Sequence, residues 1–325
     1  MWASVQDWFD HHEANPTDVN GLFLGLIGGA TAADANRKAE VEQRIVQTHM
    51  AVGDDPAVLG FRGMGLQERG ELDASERFAS LALELDPTGS VGAHPMAHVH
   101  FERGDHVRGA AWLDEWLPTT DPGGGYTAHL HWHHALHCLA MGDTDRVLST
   151  YVDRLCGPTQ TGLPDRSSML WRLQLHGFVD GSEDPSDMDF AGIAPTSLGF
   201  IPFTFAGAHV ALGLATRGDA AGLRRFAATA SRSEAPGADA LVQSIALALA
   251  DRIDGAVASA ADRLLAVELQ FPLLGGSHAQ REVFEDTLID TLIRAGRTED
   301  ASRRLQARLD RRPSALDQGW LAASL

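Results

Sequence analysis

The chain has 325 residues, 44% of them hydrophobic and 22% charged, and its 44 acidic against 26 basic side chains leave a formal charge of −18. That composition supports a sizeable buried core and excludes a disordered chain. The acidic balance excludes binding to duplex nucleic acid by counterion release and disfavours anionic membranes. Two cysteines, Cys138 and Cys156, cannot staple a chain of this size and read as reduced thiols of a cytoplasmic protein.

Residues 1–10 hold three aromatics but neither a basic leader nor an apolar one, and no uninterrupted apolar run long enough to span a membrane follows. A Gly-rich apolar stretch over residues 21–30 is expected to form a helix packed on a neighbour. From there on, helical periodicity punctuated by Gly or Asp-Pro recurs and strand patterns are scarce, so the predicted class is all-α. The clearest unit covers residues 56–87: an A helix through Gly63 and Leu66, a turn at Glu68-Arg69-Gly70, and a B helix through Ala82 to Asp86-Pro87. Counted from Pro56, small residues fall at position 8 (Gly63) and position 27 (Ala82). Glu102-Arg103-Gly104 repeats the turn 34 residues later, with Ala97 at position 8. A third unit is centred on Gly142 with Ala135 at position 8, Gly218 closes an A helix carrying Ala211 at position 8, and Gly296 precedes a final B helix over residues 299–311.

Small residues are needed where paired helices cross, because a bulky side chain would hold the axes apart. The period and these small positions resemble the tetratricopeptide repeat. That resemblance implies one domain over residues 1–325, a TPR-like α-α superhelical solenoid whose concave groove is lined by A helices. Residues 178–197, with five acids between Asp180 and Asp189, are expected as a solvated loop.

Nine of the fifteen histidines lie in the 44 residues from 94 to 137, where an even spread would give about two. The groove face of an A helix comprises roughly positions 2, 5, 6, 9, 12 and 13, following helical spacing. His94 and His98 fall there in the second unit, His129, Trp132 and His133 in the third, and His209 in the Gly218 unit. His100, His106, His131, His134 and His137 fall off that face and read as packing or surface residues. Imidazoles four residues apart share a helix face, so His94/His98 and His129/His133 can each present two nitrogens to one point. Two such pairs suit a divalent transition metal such as zinc, iron or manganese, as does one pair completed by a carboxylate and water. Without metal, the same rings suit acid/base proton transfer near neutral pH. Pro95 cannot sit deep in a helix without removing a hydrogen bond, so this A helix is expected to start near His94.

Three other features carry chemistry. Asp165, Ser168 and Arg172 share a helical face; Asp165 is a carboxylate candidate for completing a metal site or orienting an imidazole, and an internal Asp-Arg pair is the plainer reading. Trp171 reads as a pocket wall or core. Ser277 and Gln280 form a capping box after Gly275-Gly276, and the new helix's free N–H groups with His278 and Arg281 suit a carboxylate or phosphate.

Four segments, residues 93–100 (AHPMAHVH), 129–136 (HLHWHHAL), 168–174 (SMLWRLQ) and 275–284 (GGSHAQREVF), resemble the tetratricopeptide repeat protein 38 family in order and spacing over roughly residues 40–312. The resemblance implies the same repeat superhelix, with functional positions at His94, His98, His129, His133 and His209 and at Gln280 and Arg281. Pro95, and Phe101 where an acid is common, depart from that pattern. The expected function is an enzyme that holds a small anionic organic molecule in a histidine-lined groove. Metal-assisted water activation or imidazole proton transfer would serve hydrolysis, isomerisation or elimination. The other class is a non-catalytic scaffold binding a peptide or protein along the groove.

Overall fold

The computed structural model describes residues 5–22, 35–122, 126–155, 162–179, 203–229 and 238–324. Among these residues every regular element is helical, and no helix is long and apolar enough to cross a membrane. All but the first two residues of the expected acidic loop, most of the Gly-rich stretch 21–30, and Cys156 lie outside the described residues. The chain forms two compact units, residues 1–137 and 138–325.

In the first unit α1 (Val5–Ala14) and α2 (Ala35–Val52) precede α3 (Pro56–Glu68), α4 (Leu72–Leu85), α5 (Ser90–Glu102) and α6 (His106–Trp116). Helix α7 (Thr127–Ala140) starts in this unit. The start of α3 follows from sequence: Pro56 occupies its first turn, and the Asp55 side chain accepts hydrogen bonds from Ala57 N at 2.9 Å and Val58 N at 3.2 Å. Its end follows from Gly70, whose φ of 77° brings its N–H to Gln67 O at 2.8 Å and the Glu71 N–H to Leu66 O at 3.0 Å. Only glycine takes that left-handed turn without strain. Gly104 closes α5 with the same pair of bonds, to Phe101 O and from Asp105 N to His100 O.

Close helix contact comes from the small positions. A Cβ at Gly63 would lie 3.0 Å from Pro95 Cβ, and one at Gly92 would lie 2.9 Å from Ala82 Cβ. A methyl at either point would overpack the crossing, typically at a cost of about 1–3 kcal/mol. Helix α5 begins at Ser90, four residues before the expected start, so Pro95 is inside it. Proline there removes the bond that Val91 O would otherwise accept from residue 95. Gly60 admits that carbonyl, because a Cβ at Gly60 would clash with it. The shift places His94 and His98 in the helix body rather than on its first turn. Ala93, Ala97, Leu113, Trp116 and Leu130 form one buried cluster that ties α5, α6 and α7 together.

The second unit contains α8 (Thr144–Thr150), α9 (Leu163–Leu175), α10 (Phe203–Thr216), α11 (Ala220–Thr229) and α12 (Ala238–Ile253). It continues with α13 (Val257–Val267), α14 (His278–Arg294), α15 (Thr298–Arg311) and α16 (Ala315–Ser324). Gly142, Gly218 and Gly296 take the same positive-φ turn as Gly70. An aliphatic core from Leu212, Ile245, Leu249, Leu264, Val283 and Leu292 lies between the helices.

This unit also buries an ionic network. Arg172 Nε on α9 donates to Asp286 Oδ2 on α14 at 3.1 Å. Arg308 on α15 reaches Asp286 Oδ1 at 2.5 Å and Asp317 Oδ1 on α16 at 2.8 Å, and Arg312 reaches Glu282 Oε1 at 2.5 Å. All six side chains are buried. Burial alone would raise the Glu282 carboxyl, but Arg312 and Arg308 hold it well below the usual carboxylate range. The Arg308 guanidinium is held charged by Glu282, Asp286 and Asp317 against the same penalty.

Candidate metal centre

Helices α5 and α7 each carry a histidine pair at i and i+4, which projects two rings from one face of each helix. The two faces meet. Ring centroids of His94 lie 4.9 Å from His129 and 5.2 Å from His133, and His98 lies 4.3 Å from His133. One nitrogen from each of the four rings falls within 4.8 Å of all the others, so His94, His98, His129 and His133 could hold a metal ion together. His94 Nε2 and His98 Nε2 are 3.2 Å apart. A tetrahedral ion bound at about 2.0–2.1 Å requires nitrogen–nitrogen edges of about 3.3 Å, so this edge already has the required length.

Aromatic neighbours fix the ring planes. Tyr126, one turn before His129 on the same helix face, stacks on His94 at 4.5 Å and 29°. Trp132 is fully buried and stacks on His129 at 5.0 Å and 15°. Of the four imidazoles only His129 is partly exposed; His94, His98 and His133 are buried. His129 is thus the most exposed ring of the four.

Burial depresses the basicity of His94 and His133 well below the ordinary histidine value, and the neighbouring imidazoles lower it further. These rings are neutral at physiological pH, which is the form that offers a lone pair to a metal. The neighbouring imidazoles that lower His94 are those of His98 and His129, and those that lower His133 are His98, His129, His94 and His137. His94 Nδ1 and both nitrogens of His133 are buried without a hydrogen-bond partner. Each such atom costs roughly 1–3 kcal/mol, and a metal ion would relieve one nitrogen of His133.

The remaining residues singled out from the sequence lie in the second unit. His209 on α10 donates from Nδ1 to Phe205 O at 2.8 Å and is packed by Phe205 and Phe284. Burial lowers it to about 4, with Asp165 acting in the opposite direction. Asp165 is thus near His209, while Arg172 pairs with Asp286 and donates to Ala279 O at 3.0 Å. Trp171 is core, its Nε1 donating to Thr287 Oγ1 at 2.9 Å, and also borders a cavity of about 480 Å³ with Arg252 and Arg294. Both arginines bond Asp290 Oδ2, and Arg252 covers the Trp171 ring, so these cations are already engaged.

The capping box expected at Ser277 is present, with Ser277 N donating to Gln280 Oε1 at 2.9 Å and Gln280 N to Ser277 Oγ at 3.3 Å. The Gln280 side chain is consumed by the cap, and Arg281 Nη1 donates to Gly276 O. His278 joins Glu282 and Glu285 in a second group of possible ligands. Arg312 occupies Glu282 there, with Arg308 and Arg311 close by, so Glu282 already has counter-charges, while burial and Glu282 raise the Glu285 carboxyl.

Sequence spacing missed two features. Tyr126 is one; its place three residues before His129 was a usable signal. The other is a buried pair off the expected groove face, His106 Nδ1 and His137 Nδ1 at 3.2 Å, joined across α6 and α7. His134, also off that face, meets Asp114 at 2.9 Å. No protein-family model matches the chain.

Proposed function

We propose that this protein is a metal-dependent enzyme acting on a small organic molecule, with the ion held by His94, His98, His129 and His133. One observation carries the reading: His133 is fully buried with both ring nitrogens unpartnered, inside a cluster of imidazoles whose ligand atoms lie within 4.8 Å of one another. Most buried side-chain nitrogens find a hydrogen-bond partner, and His133 lacks one at both ring nitrogens. A donor set of nitrogens alone favours zinc or ferrous iron over manganese, which prefers oxygen ligands. A bound ion would supply Lewis acidity, which serves hydrolysis, isomerisation or elimination. His209 and the α14 capping helix, expected to assist, belong to the other unit, and the reading does not depend on them.

The finer fold assignment is part of the same proposal. The recurring helix–glycine turn–helix units support a tetratricopeptide-like superhelix of the tetratricopeptide repeat protein 38 kind, and the acidic, span-free chain supports a cytoplasmic setting without nucleic-acid or membrane partners. A scaffold that binds a peptide has no use for buried unpartnered imidazoles, so it is the weaker reading.

Elemental analysis of protein purified without a histidine tag is the test, before and after loading with zinc or ferrous iron. About one ion per chain is expected, with loss in both His98→Ala and His133→Ala. Substoichiometric metal in the loaded parent overturns the proposal.

A further inference from the structure

The cavity of about 480 Å³ in the second unit lies where four helices end. Among the described residues its wall takes Trp171 and Leu175 from α9, Ala215 from α10, Arg252 and Ile253 from α12, and Arg294 from α14. Its volume falls in the range of about 300–1,000 Å³ usual for small-molecule sites. Arginine in a last turn is favoured by the negative end of the helix dipole, which accounts for its presence but not for its pose. The Arg252 side chain is 13% exposed, and its guanidinium lies over the Trp171 ring, 4.9 Å from the centroid.

One carboxylate holds both cations of the wall. Arg252 donates to Asp290 Oδ2 from Nη2 at 2.5 Å and from Nε at 3.2 Å, and Arg294 donates to the same oxygen from Nε at 2.8 Å. Two guanidiniums that repel each other are thereby fixed side by side. Each has more N–H groups than these bonds use, and Asp290 is buried while the Arg294 side chain is 52% exposed. Donors set in place before a ligand arrives cost it little ordering, and a guanidinium fork matches a carboxylate in shape as well as charge. Leu175, Ala215 and Ile253 give the rest of a ligand an apolar wall. We infer that this cavity binds a small organic carboxylate, its charge on Arg252 and Arg294 and its apolar body against Leu175, Ala215 and Ile253. Arg281, the carboxylate holder expected from sequence, donates a terminal nitrogen to Gly276 O. Every residue of the cavity belongs to the second unit, and none is a candidate ligand of the metal centre.

Isothermal titration calorimetry of the full-length protein tests this, with benzoate and hexanoate as probes and with benzamide and inorganic phosphate in parallel, all at constant ionic strength. Saturable binding of benzoate or hexanoate with a dissociation constant of about 1 mM or below is expected, equal in metal-free and zinc-loaded protein. Benzamide, which has the shape without the charge, and phosphate, which has the charge without the apolar body, should both be weaker. Arg294→Gln leaves Asp290 bonded to Arg252 and should weaken the carboxylate about tenfold, the loss of one charge-assisted hydrogen bond, with little change in melting temperature. Arg281→Gln should bind as the parent does. No saturable binding of either carboxylate up to about 10 mM, or benzamide or phosphate binding as tightly, overturns the inference. So does binding that requires zinc, which would place the anion on the metal, and so does binding that survives Arg294→Gln but not Arg281→Gln. None of these outcomes bears on whether the four imidazoles hold an ion.

Discussion

Two buried polar clusters, one in each unit, are built on opposite principles. In the second unit, Arg172, Arg308 and Arg312 face Glu282, Asp286 and Asp317, every charge has a partner of opposite sign, and four elements are joined by the result. In the first unit, four imidazoles converge, and His94 Nδ1 and both nitrogens of His133 have no hydrogen-bond partner. Protein interiors tolerate polar groups when they are satisfied. The ionic cluster pairs its charges and is accounted for by folding, whereas the imidazole cluster could hold a metal ion.

The sharpest way to break the comparison is to unbalance the compensated cluster. Arg308→Met keeps the length of the side chain but leaves Asp317 and one oxygen of Asp286 without their guanidinium. Removing one partner of a buried ion network costs about 3–5 kcal/mol, so urea unfolding followed by circular dichroism should show a loss of that order. A loss under about 1 kcal/mol would mean the network is not the tie between α14, α15 and α16 that its geometry describes.

A smaller effect separates His209 from the metal candidates. Its Nδ1 is satisfied by Phe205 O, and burial holds the ring at about 4 against an ordinary 6.5. Between those values the unfolded chain binds a proton that the folded one does not, so stability falls as pH drops from about 6.5 toward 4 and is unaffected above that window. The slope is about 1.4 kcal/mol per pH unit for one such group. His209→Leu should flatten the dependence by that amount in urea midpoints compared at pH 7.5 and 5. The parallel contribution of His176, also lowered to about 4 by burial, should persist. An unchanged slope would show that His209 titrates normally and is not sealed.

The sequence made the helical class and the turns legible because glycine at a left-handed turn and small residues at crossings have no cheap substitute: Gly70, Gly104, Gly142, Gly218 and Gly296 all take positive φ. The i, i+4 histidine pairs were legible for the same reason, since helical spacing alone decides which rings share a face. Three things were not. Pro95 argued for a helix starting near His94, yet α5 starts at Ser90, because Gly60 on α3 accommodates the carbonyl that proline leaves unbonded. Arg172, expected beside Asp165 on its own helix, also pairs with Asp286, 114 residues away, a separation no local pattern conveys. Arg281 carried a ligand-binding expectation, and its bond to Gly276 O was not part of the pattern, whereas the Ser277–Gln280 capping box was.

The finest distinction between the clusters concerns His133 in metal-free protein. Leucine is close to histidine in size, so His133→Leu removes two unpartnered nitrogens without opening a large cavity. Replacing a buried polar group that has no partner by an apolar one of similar shape is neutral or stabilising. The metal-free variant should therefore match the metal-free parent within about 1 kcal/mol or exceed it in urea unfolding, the opposite of Arg308→Met. Excess zinc should then separate the two proteins: a ligand at a hundred times its dissociation constant adds about 2.7 kcal/mol to the parent and nothing to the variant. A loss above about 2 kcal/mol in the metal-free variant would identify His133 as a satisfied structural residue. In that case the cluster would belong with the ionic network of the second unit, as a feature of folding.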